Sequence, residues 1–190
     1  MKVAFGWKAH SGWAALVVLG KVRDELVVVD RRRIELVEET WAKQPYHAAE
    51  GLEPPAARDL VKRGIDAAQR IALREMKAAI KREREQKNDV LGCSVLVGSP
   101  MPDWSTEEIL AVHFRMHKAE GVLFQNALLS AAEKCGLNLL PVFEKELLAE
   151  FVKKIADLGR SVGAPWGKDQ KYAALSALMV LDNQLDQAHG

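Results

Sequence analysis

The sequence has little cysteine, almost no net charge and no long apolar run. Only Cys93 and Cys135 occur among 190 residues, which excludes a fold held together by several disulfides, and we expect both to be free thiols. Lys and Arg number 27 against 26 Asp and Glu, so the formal net charge is +1. A protein that holds a polyanion by its overall positive field is therefore excluded. Any contact with nucleic acid has to rely on a local basic patch.

Membrane and secretion features are also missing. No segment approaches the roughly 20 apolar residues that a membrane span requires. Lys8 and His10 interrupt the N-terminal region before an apolar run reaches signal-peptide length. We therefore expect a cytoplasmic protein without a membrane partner. The composition, 48% hydrophobic and 28% charged, is typical of a globular protein, and we predict a single domain over residues 1–190.

The first forty residues favour β-strands. Runs rich in apolar and β-branched residues cover 3–7, 13–19 and 26–37. The breaks between the runs, one of which contains Gly12, are short enough for antiparallel hairpins. Charged residues 30–33 in the third run suit an edge strand, because charge there discourages pairing with a second molecule. This region predicts a three-stranded antiparallel meander.

Helices and single strands alternate in the rest of the chain. Apolar residues near helical spacing, uninterrupted by proline, predict a long helix from Ala56 to about Lys87. Ser105 and Glu108 have the spacing of a capping box, which predicts a second helix from there to Cys135. The remaining predicted elements are a strand at 89–97 buried on both faces, a strand at 137–143 that contains Pro141, and helices at 144–158 and 168–185.

The order of these elements is β-β-β-α-β-α-β-α-α. It predicts an α/β fold with one mixed sheet and helices on both faces, the arrangement expected of the ribonuclease H-like fold. Several segments carry a more specific resemblance: Ala119-Glu120-Gly121-Val122-Leu123-Phe124 and its continuation to Ala132, the strand Leu139–Glu144, Lys168-Asp169-Gln170-Lys171, and Gly6-Trp7-Lys8-Ala9-His10-Ser11-Gly12. Together they resemble the RuvC-type Holliday-junction resolvases, nearly from end to end.

The resemblance implies nuclease chemistry at one corner of the sheet. In this family four carboxylates hold two Mg²⁺ ions, which activate a water molecule and stabilise the leaving oxygen of a phosphodiester. At the place of the first-strand Asp, however, this sequence has Lys8, and at the place of a Glu it has Val97 followed by Gly98. A cation and a hydrocarbon cannot bind magnesium.

The two acids near the C-terminus can be aligned in two registers. Asp182 and Asp186 are similar to the closing acid pair of the family, and in the other register Asp169 and Tyr172 take those places. We therefore predict a non-catalytic domain that binds nucleic acid or a protein partner at the former metal site. No cofactor is expected, and Mg²⁺ or Mn²⁺ would be required only by a residual nuclease. The sequence leaves open whether the protein forms a homo-oligomer.

A rebuilt enzyme site is the alternative hypothesis. His113, His117 and Glu120 are spaced to project from one helix face, where two imidazoles and a carboxylate could bind Zn²⁺ or Mn²⁺. An ordinary polar helix face explains the same spacing. If this helix packs near the first strand, the candidate ligand-binding pocket would combine these three residues with Lys8, His10 and Ser11.

A local basic patch is predicted in the second half of the long helix. Between residues 56 and 89 there are ten Lys and Arg against six Asp and Glu. Lys77, Lys81, Arg82 and Arg84 are the candidate contacts to DNA or RNA phosphates. Interleaved Glu residues allow the other interpretation, a solvated face stabilised by ion pairs within the helix.

Overall fold

The computed structural model describes residues 1–23, 25–147, 155, 157–159 and 161–187, and in these ranges it leaves out the side chains of 146 and 184–187. The strands are β1 (Lys2–His10), β2 (Trp13–Val22), β3 (Glu25–Glu35), β4 (Asp89–Val97) and β5 (Leu139–Phe143). The helices are α1 (Pro45–Ala48), α2 (Pro54–Glu85), α3 (Thr106–Leu110), α4 (His113–Lys134) and α5 (Lys168–Gln187). None of the described helices combines the length and apolarity that crossing a membrane demands.

The five strands form one mixed sheet in the order β3-β2-β1-β4-β5. β1 is the central strand, and it pairs antiparallel with β2 and parallel with β4. The meander, the edge position of β3 and the burial of β4 between parallel neighbours are confirmed. β5 forms the other edge, where the missing N–H of Pro141 is tolerated.

Side-chain alternation along β1 divides the core into two layers. Phe5 and Trp7 are fully buried on the face covered by α2 and α4. Ala4 lies on the opposite face, against α5. Residues 8 and 10 share the face of Ala4, so the parity of the strand decides which helices their side chains can reach.

α5 approaches the sheet closely because Gly6 has no side chain. A Cβ atom at Gly6 would lie 1.8 Å from the carbonyl oxygen of Ala173. The α5 residues on this side are small, and Ala173, Ala177 and Ser176 are all fully buried. This contact fixes the position of the N-terminal part of α5 beside the central strand.

The predicted second helix is wrong in one respect: it is broken into α3 and α4 at Ala111 and Val112. Ser105 forms the predicted capping box with Glu108, but Val112 adopts an extended backbone with φ −140° and ψ 113°. The break lets Ile109 pack in the core while α4 follows its own direction along the sheet. Separate packing of α3 and α4 here outweighs the continuity of one helix.

The connection after β5 also differs from the prediction. Glu144–Glu146 is a 3₁₀ turn rather than the start of an α-helix. Most of the helix predicted at 144–158 lies outside the described residues. The last helix is confirmed, beginning at Lys168.

Candidate functional site

The carboxyl ends of β1, β4 and β5 meet the start of α5 at one corner of the sheet, which we call the β1 corner. Lys8 lies in this corner, with a side chain only 16% exposed, and its Nζ atom pairs with the carboxylate of Glu144. His10 lies two residues further on, and its Nε2 atom is 2.9 Å from Oδ1 of Asp169. Each of these two acids thus has a basic partner from β1.

The neighbouring groups set the electrostatics of the β1 corner. Burial lowers the pKa of Lys8 below its usual value, Asp169 opposes this effect, and Lys168 adds to the lowering. His10 stacks on Trp13 with 4.4 Å between ring centroids, and the guanidinium of Arg33 lies 3.8 Å from the Trp13 ring centroid. The corner therefore contains cations, acids and an aromatic ring in close contact.

The residues of the β1 corner do not assemble a metal site among the described side chains. Val97 ends β4 beside Phe143, and the amide of Gly98 donates a hydrogen bond of 3.0 Å to Oε1 of Gln125. In the described ranges, the one group of three His, Cys, Asp or Glu residues close enough to share an ion lies elsewhere. Among the described side chains, the corner holds two carboxylates, Glu144 and Asp169, each paired with a basic residue, rather than the four that the family resemblance implies for two Mg²⁺ ions.

The two registers proposed for the C-terminal acids place different residues near the β1 corner, and the structure shows where each acid lies. Asp169 is in the β1 corner, with Tyr172 one turn further along α5, and Lys168 lies 5.1 Å from the Tyr172 ring centroid. Asp182 instead accepts a hydrogen bond of 2.7 Å from Lys21, at the opposite end of the sheet, where β1 begins.

Asp182, one of the two candidate catalytic residues, therefore lies apart from the β1 corner, because α5 carries it more than three turns away. The side chain of Asp186, the other candidate, lies outside the described residues.

His113, His117 and Glu120 form a second cluster on the other side of the sheet, together with His47. Nε2 of His113 and Nε2 of His117 are 3.0 Å apart. His47 Nδ1 lies 2.7 Å from Glu120 Oε2, and the His47 backbone amide donates to Oε1 at 3.1 Å. We call His47, His113 and His117 the histidine cluster.

The predicted pocket combining these residues with Lys8, His10 and Ser11 is wrong. Lys8 and His10 point to the α5 face of β1, whereas α4 packs on the opposite face. Ser11 is exposed in the turn between β1 and β2. Strand alternation, which sequence proximity does not reveal, keeps the two groups apart.

Sequence reasoning missed His47. It lies in the short helix α1, in a segment whose Pro and Gly content indicates only an irregular connection. Its partner Glu120 is 73 residues away, so no spacing pattern links the two. Glu120 is 3% exposed. The pKa of Tyr46 is raised above its usual value, mainly because the Tyr46 hydroxyl is buried and also because the charge of Glu120 lies nearby.

The predicted basic residues of α2 line a groove against the end of α4. Lys77, Lys81 and Arg84 share it with Lys134 and Cys135, and the groove has a volume of about 650 Å³. Glu85 is its acidic member, 3.7 Å from Lys81. We call this feature the basic groove.

Arg82 does not belong to the basic groove. It turns toward β3, where its Nε atom is 3.7 Å from Oδ2 of Asp30. Because successive residues of a helix are about 100° apart, Arg82 leaves the stripe formed by Lys77, Lys81 and Arg84. Of the four predicted phosphate contacts, Arg82 is therefore the one that lies apart from the groove.

Comparison with known proteins identifies the architecture. No protein-family profile and no curated protein matches the sequence. The structure is similar to Thermus thermophilus RuvC in complex with a Holliday junction substrate, with a TM-score of 0.54 and 12% identity over 97% of this chain and 96% of that chain. A second structure of Thermus thermophilus RuvC gives a TM-score of 0.52 and 13% identity over 93% of this chain and 90% of that chain. The chain therefore has the RuvC-like, ribonuclease H-like fold.

Proposed function

We propose that this protein is a RuvC-like domain that binds nucleic acid without cleaving it. The observation that carries the proposal is the ion pair between Lys8 and Glu144 in the β1 corner, the place where the family resemblance puts the first metal-binding Asp. The basic groove supplies a surface for phosphates.

The absence of two-metal cleavage follows from charge. A divalent cation placed among Glu144 and Asp169 would meet the ammonium group of Lys8, which repels it strongly in a partly buried site. Displacing Lys8 would break its ion pair and leave a buried cation without a partner, which is costly. The corner is therefore organised by protein cations instead of metal ions.

Nucleic-acid binding is supported by the four cations of the basic groove. Lys77, Lys81, Arg84 and Lys134 face one concave surface that contains a single acid, Glu85. Such a cluster releases counterions when it meets a phosphate backbone, so it binds polyanions although the whole protein is nearly neutral. The groove lies toward the end of the sheet where β4 begins, opposite the end that carries the β1 corner.

The test is a binding and cleavage assay on four fluorescent ligands: a four-way DNA junction, duplex DNA, single-stranded DNA and single-stranded RNA. Anisotropy in Mg²⁺ buffer measures binding, and denaturing gels measure strand cleavage. We expect at least one ligand to bind in a salt-sensitive manner and to remain intact. Absence of binding to all four, or Mg²⁺-dependent cleavage that Asp169→Asn abolishes, would overturn the proposal.

Two variants test whether nucleic acid binds at the basic groove. The groove variant carries Lys77→Ala, Lys81→Ala and Arg84→Ala, and the control variant carries Lys62→Ala, Arg70→Ala and Arg74→Ala, which removes the same charge from exposed positions of α2. We expect only the groove variant to lose affinity. Equal losses would show that binding follows net charge rather than this surface.

Cys135 offers a second readout within the basic groove. Its thiol is partly exposed, whereas Cys93 is fully buried and burial raises its pKa to about 12. Alkylation of the native protein should therefore modify Cys135 first. Bound nucleic acid should slow that reaction, and an unchanged rate at saturating ligand would place the contact elsewhere.

A further inference from the structure

Three imidazoles from two separate segments converge on one point at the histidine cluster. Each of His47, His113 and His117 offers a ring nitrogen, and these three atoms all lie within 4.8 Å of one another. We propose that the cluster binds one divalent transition-metal ion, with Zn²⁺ as the best match. This inference is independent of the nucleic-acid proposal, because it concerns the opposite face of the sheet from Lys8.

The spacing of His113 and His117 fits the geometry of a zinc ion, whereas the ring-nitrogen separations within the cluster, which extend to 4.8 Å, require the His47 ring to move closer when the ion binds. Zn–N bonds of about 2.0–2.1 Å in a tetrahedral arrangement place two ligand nitrogens about 3.3 Å apart. The 3.0 Å separation between the two Nε2 atoms of His113 and His117 is close to that value. Both residues lie on one face of α4, four positions apart, which is the helical spacing of a paired histidine ligand set.

Glu120 fixes the third ligand. Its carboxylate is only 3% exposed and lies 2.7 Å from Nδ1 of His47, so with an ion bound Nδ1 would donate its proton to Glu120 and Nε2 would offer its lone pair to the ion. A carboxylate that receives the outer N–H of a metal-binding histidine sets the tautomer, holds the ring orientation and raises the basicity of the ligand. The negative charge of Glu120 would also partly balance the charge of the ion. Glu120 is therefore a positioning residue and not the direct ligand that sequence spacing predicts.

The donor set selects the class of ion and leaves one position open. Three neutral imidazoles suit Zn²⁺, Ni²⁺ and Cu²⁺ and are poorly suited to Mg²⁺ or Ca²⁺, which prefer oxygen. His113 and His117 are exposed, so the fourth position of a tetrahedral ion faces solvent. Three protein ligands and an open position form the arrangement in which Zn²⁺ holds a water molecule or an exogenous ligand.

A bound ion would also join two elements that touch only locally. α1 is a four-residue helix, and His47 would tie it to the first turn of α4. The ring contacts already bring them together, with 4.7 Å between the centroids of His47 and His117 and 5.2 Å between those of His47 and His113. The metal should therefore raise the melting temperature of the whole protein as well as occupy a site.

The experiment uses the full chain without a histidine tag, stripped with a chelator and then titrated with Zn²⁺ against a chromophoric chelator. We expect one Zn²⁺ per chain and a higher melting temperature, while Mg²⁺ produces neither effect. His113→Ala and His117→Ala should each weaken Zn²⁺ binding by more than about 100-fold, and Glu120→Gln by about 10-fold to 100-fold, as for an outer-shell partner. His10→Ala, on the other face, is the matched control and should keep full affinity.

The alternative is a hydrogen-bonded group of imidazoles without an ion. Less than one Zn²⁺ for every ten chains, or Zn²⁺ affinity that His113→Ala and His117→Ala leave unchanged, would establish this alternative and overturn the proposal. Both substitutions are at exposed positions, and near-ultraviolet circular dichroism checks that the variants remain folded. If His10→Ala lost the metal as well, the site would lie elsewhere and the proposal would also fail.

Discussion

Lys8 forms an ion pair with Glu144 at the position where the family resemblance places a metal-binding Asp. Its side chain is mostly buried at the end of the central strand, paired with Glu144, and the neighbouring Asp169 has its own partner in His10. Two acids that would otherwise attract a divalent cation are thus satisfied by protein groups. Under the proposed function, the identity of residue 8 determines whether this corner binds a metal ion.

Lys8→Asp should reverse that outcome. The substitution would place three carboxylates together, so we expect the variant to be less stable than the wild type in chelator and to regain melting temperature in Mg²⁺ or Mn²⁺. The wild-type melting temperature should not respond to Mg²⁺. Thermal melts with and without each ion measure the difference.

Lys8→Met serves as the control for this prediction. It removes the ammonium without adding a ligand, so it should change stability yet gain no response to Mg²⁺. A wild-type response to Mg²⁺ as large as that of Lys8→Asp would show that Lys8 does not keep divalent ions out.

The close packing of helix α5 against β1 depends on Gly6, which has no side chain. The carbonyl oxygen of Ala173 occupies the space next to Gly6 where any other residue would place its Cβ atom, 1.8 Å away. That oxygen belongs to the backbone and cannot rotate aside. The approach also brings Asp169, at the start of α5, to within reach of His10.

Gly6→Ala should therefore destabilise the protein by about 3 kcal/mol, the upper range for overpacking a core, because the whole helix has to shift. Gly121→Ala is the matched control within α4, where a new Cβ atom meets nothing within 4 Å. There the replacement should stabilise by about 0.8–1 kcal/mol, since alanine is the better helix former. Urea unfolding of both variants measures the two signs, and a tolerated Gly6→Ala would contradict the close packing of α5.

Elements with strong local patterns were predictable, and those determined by distant packing were not. The apolar spacing of α2 and the alternation in the first three strands indicate their structure directly. The break before α4 is not visible in the sequence, because apolar spacing continues through Val112 while the backbone there is extended. Its cause is the separate packing of α3 against α2.

In the candidate sites, too, local patterns could be predicted from the sequence and contacts between distant segments could not. Lys8 could be placed from the sequence because it lies on a strand whose position in the sheet follows from the element order. The histidine cluster could be predicted only in part: the helical pair His113 and His117 is a local pattern, whereas His47 arrives from a short segment 66 residues earlier. Which face of β1 each side chain uses depends on strand parity, and that parity separates His10 from the cluster.

At the scale of the whole molecule, a net charge of +1 conceals an uneven distribution. In the β1 corner, Lys8 and His10 each lie beside an acid. The basic groove, toward the other end of the sheet, contains four cations and one acid, Glu85. A polyanion should accordingly bind at the basic groove rather than at the β1 corner.

The salt dependence of duplex binding by the wild type and the groove variant, measured with Mg²⁺ present, tests this central claim most directly. We predict that the logarithm of the association constant falls linearly with the logarithm of salt concentration, and that the slope becomes shallower by about 1 for each cation removed at Lys77, Lys81 and Arg84. The DNA should remain uncut throughout. Identical slopes for the groove variant and the wild type, or metal-dependent cleavage by the wild type, would contradict it.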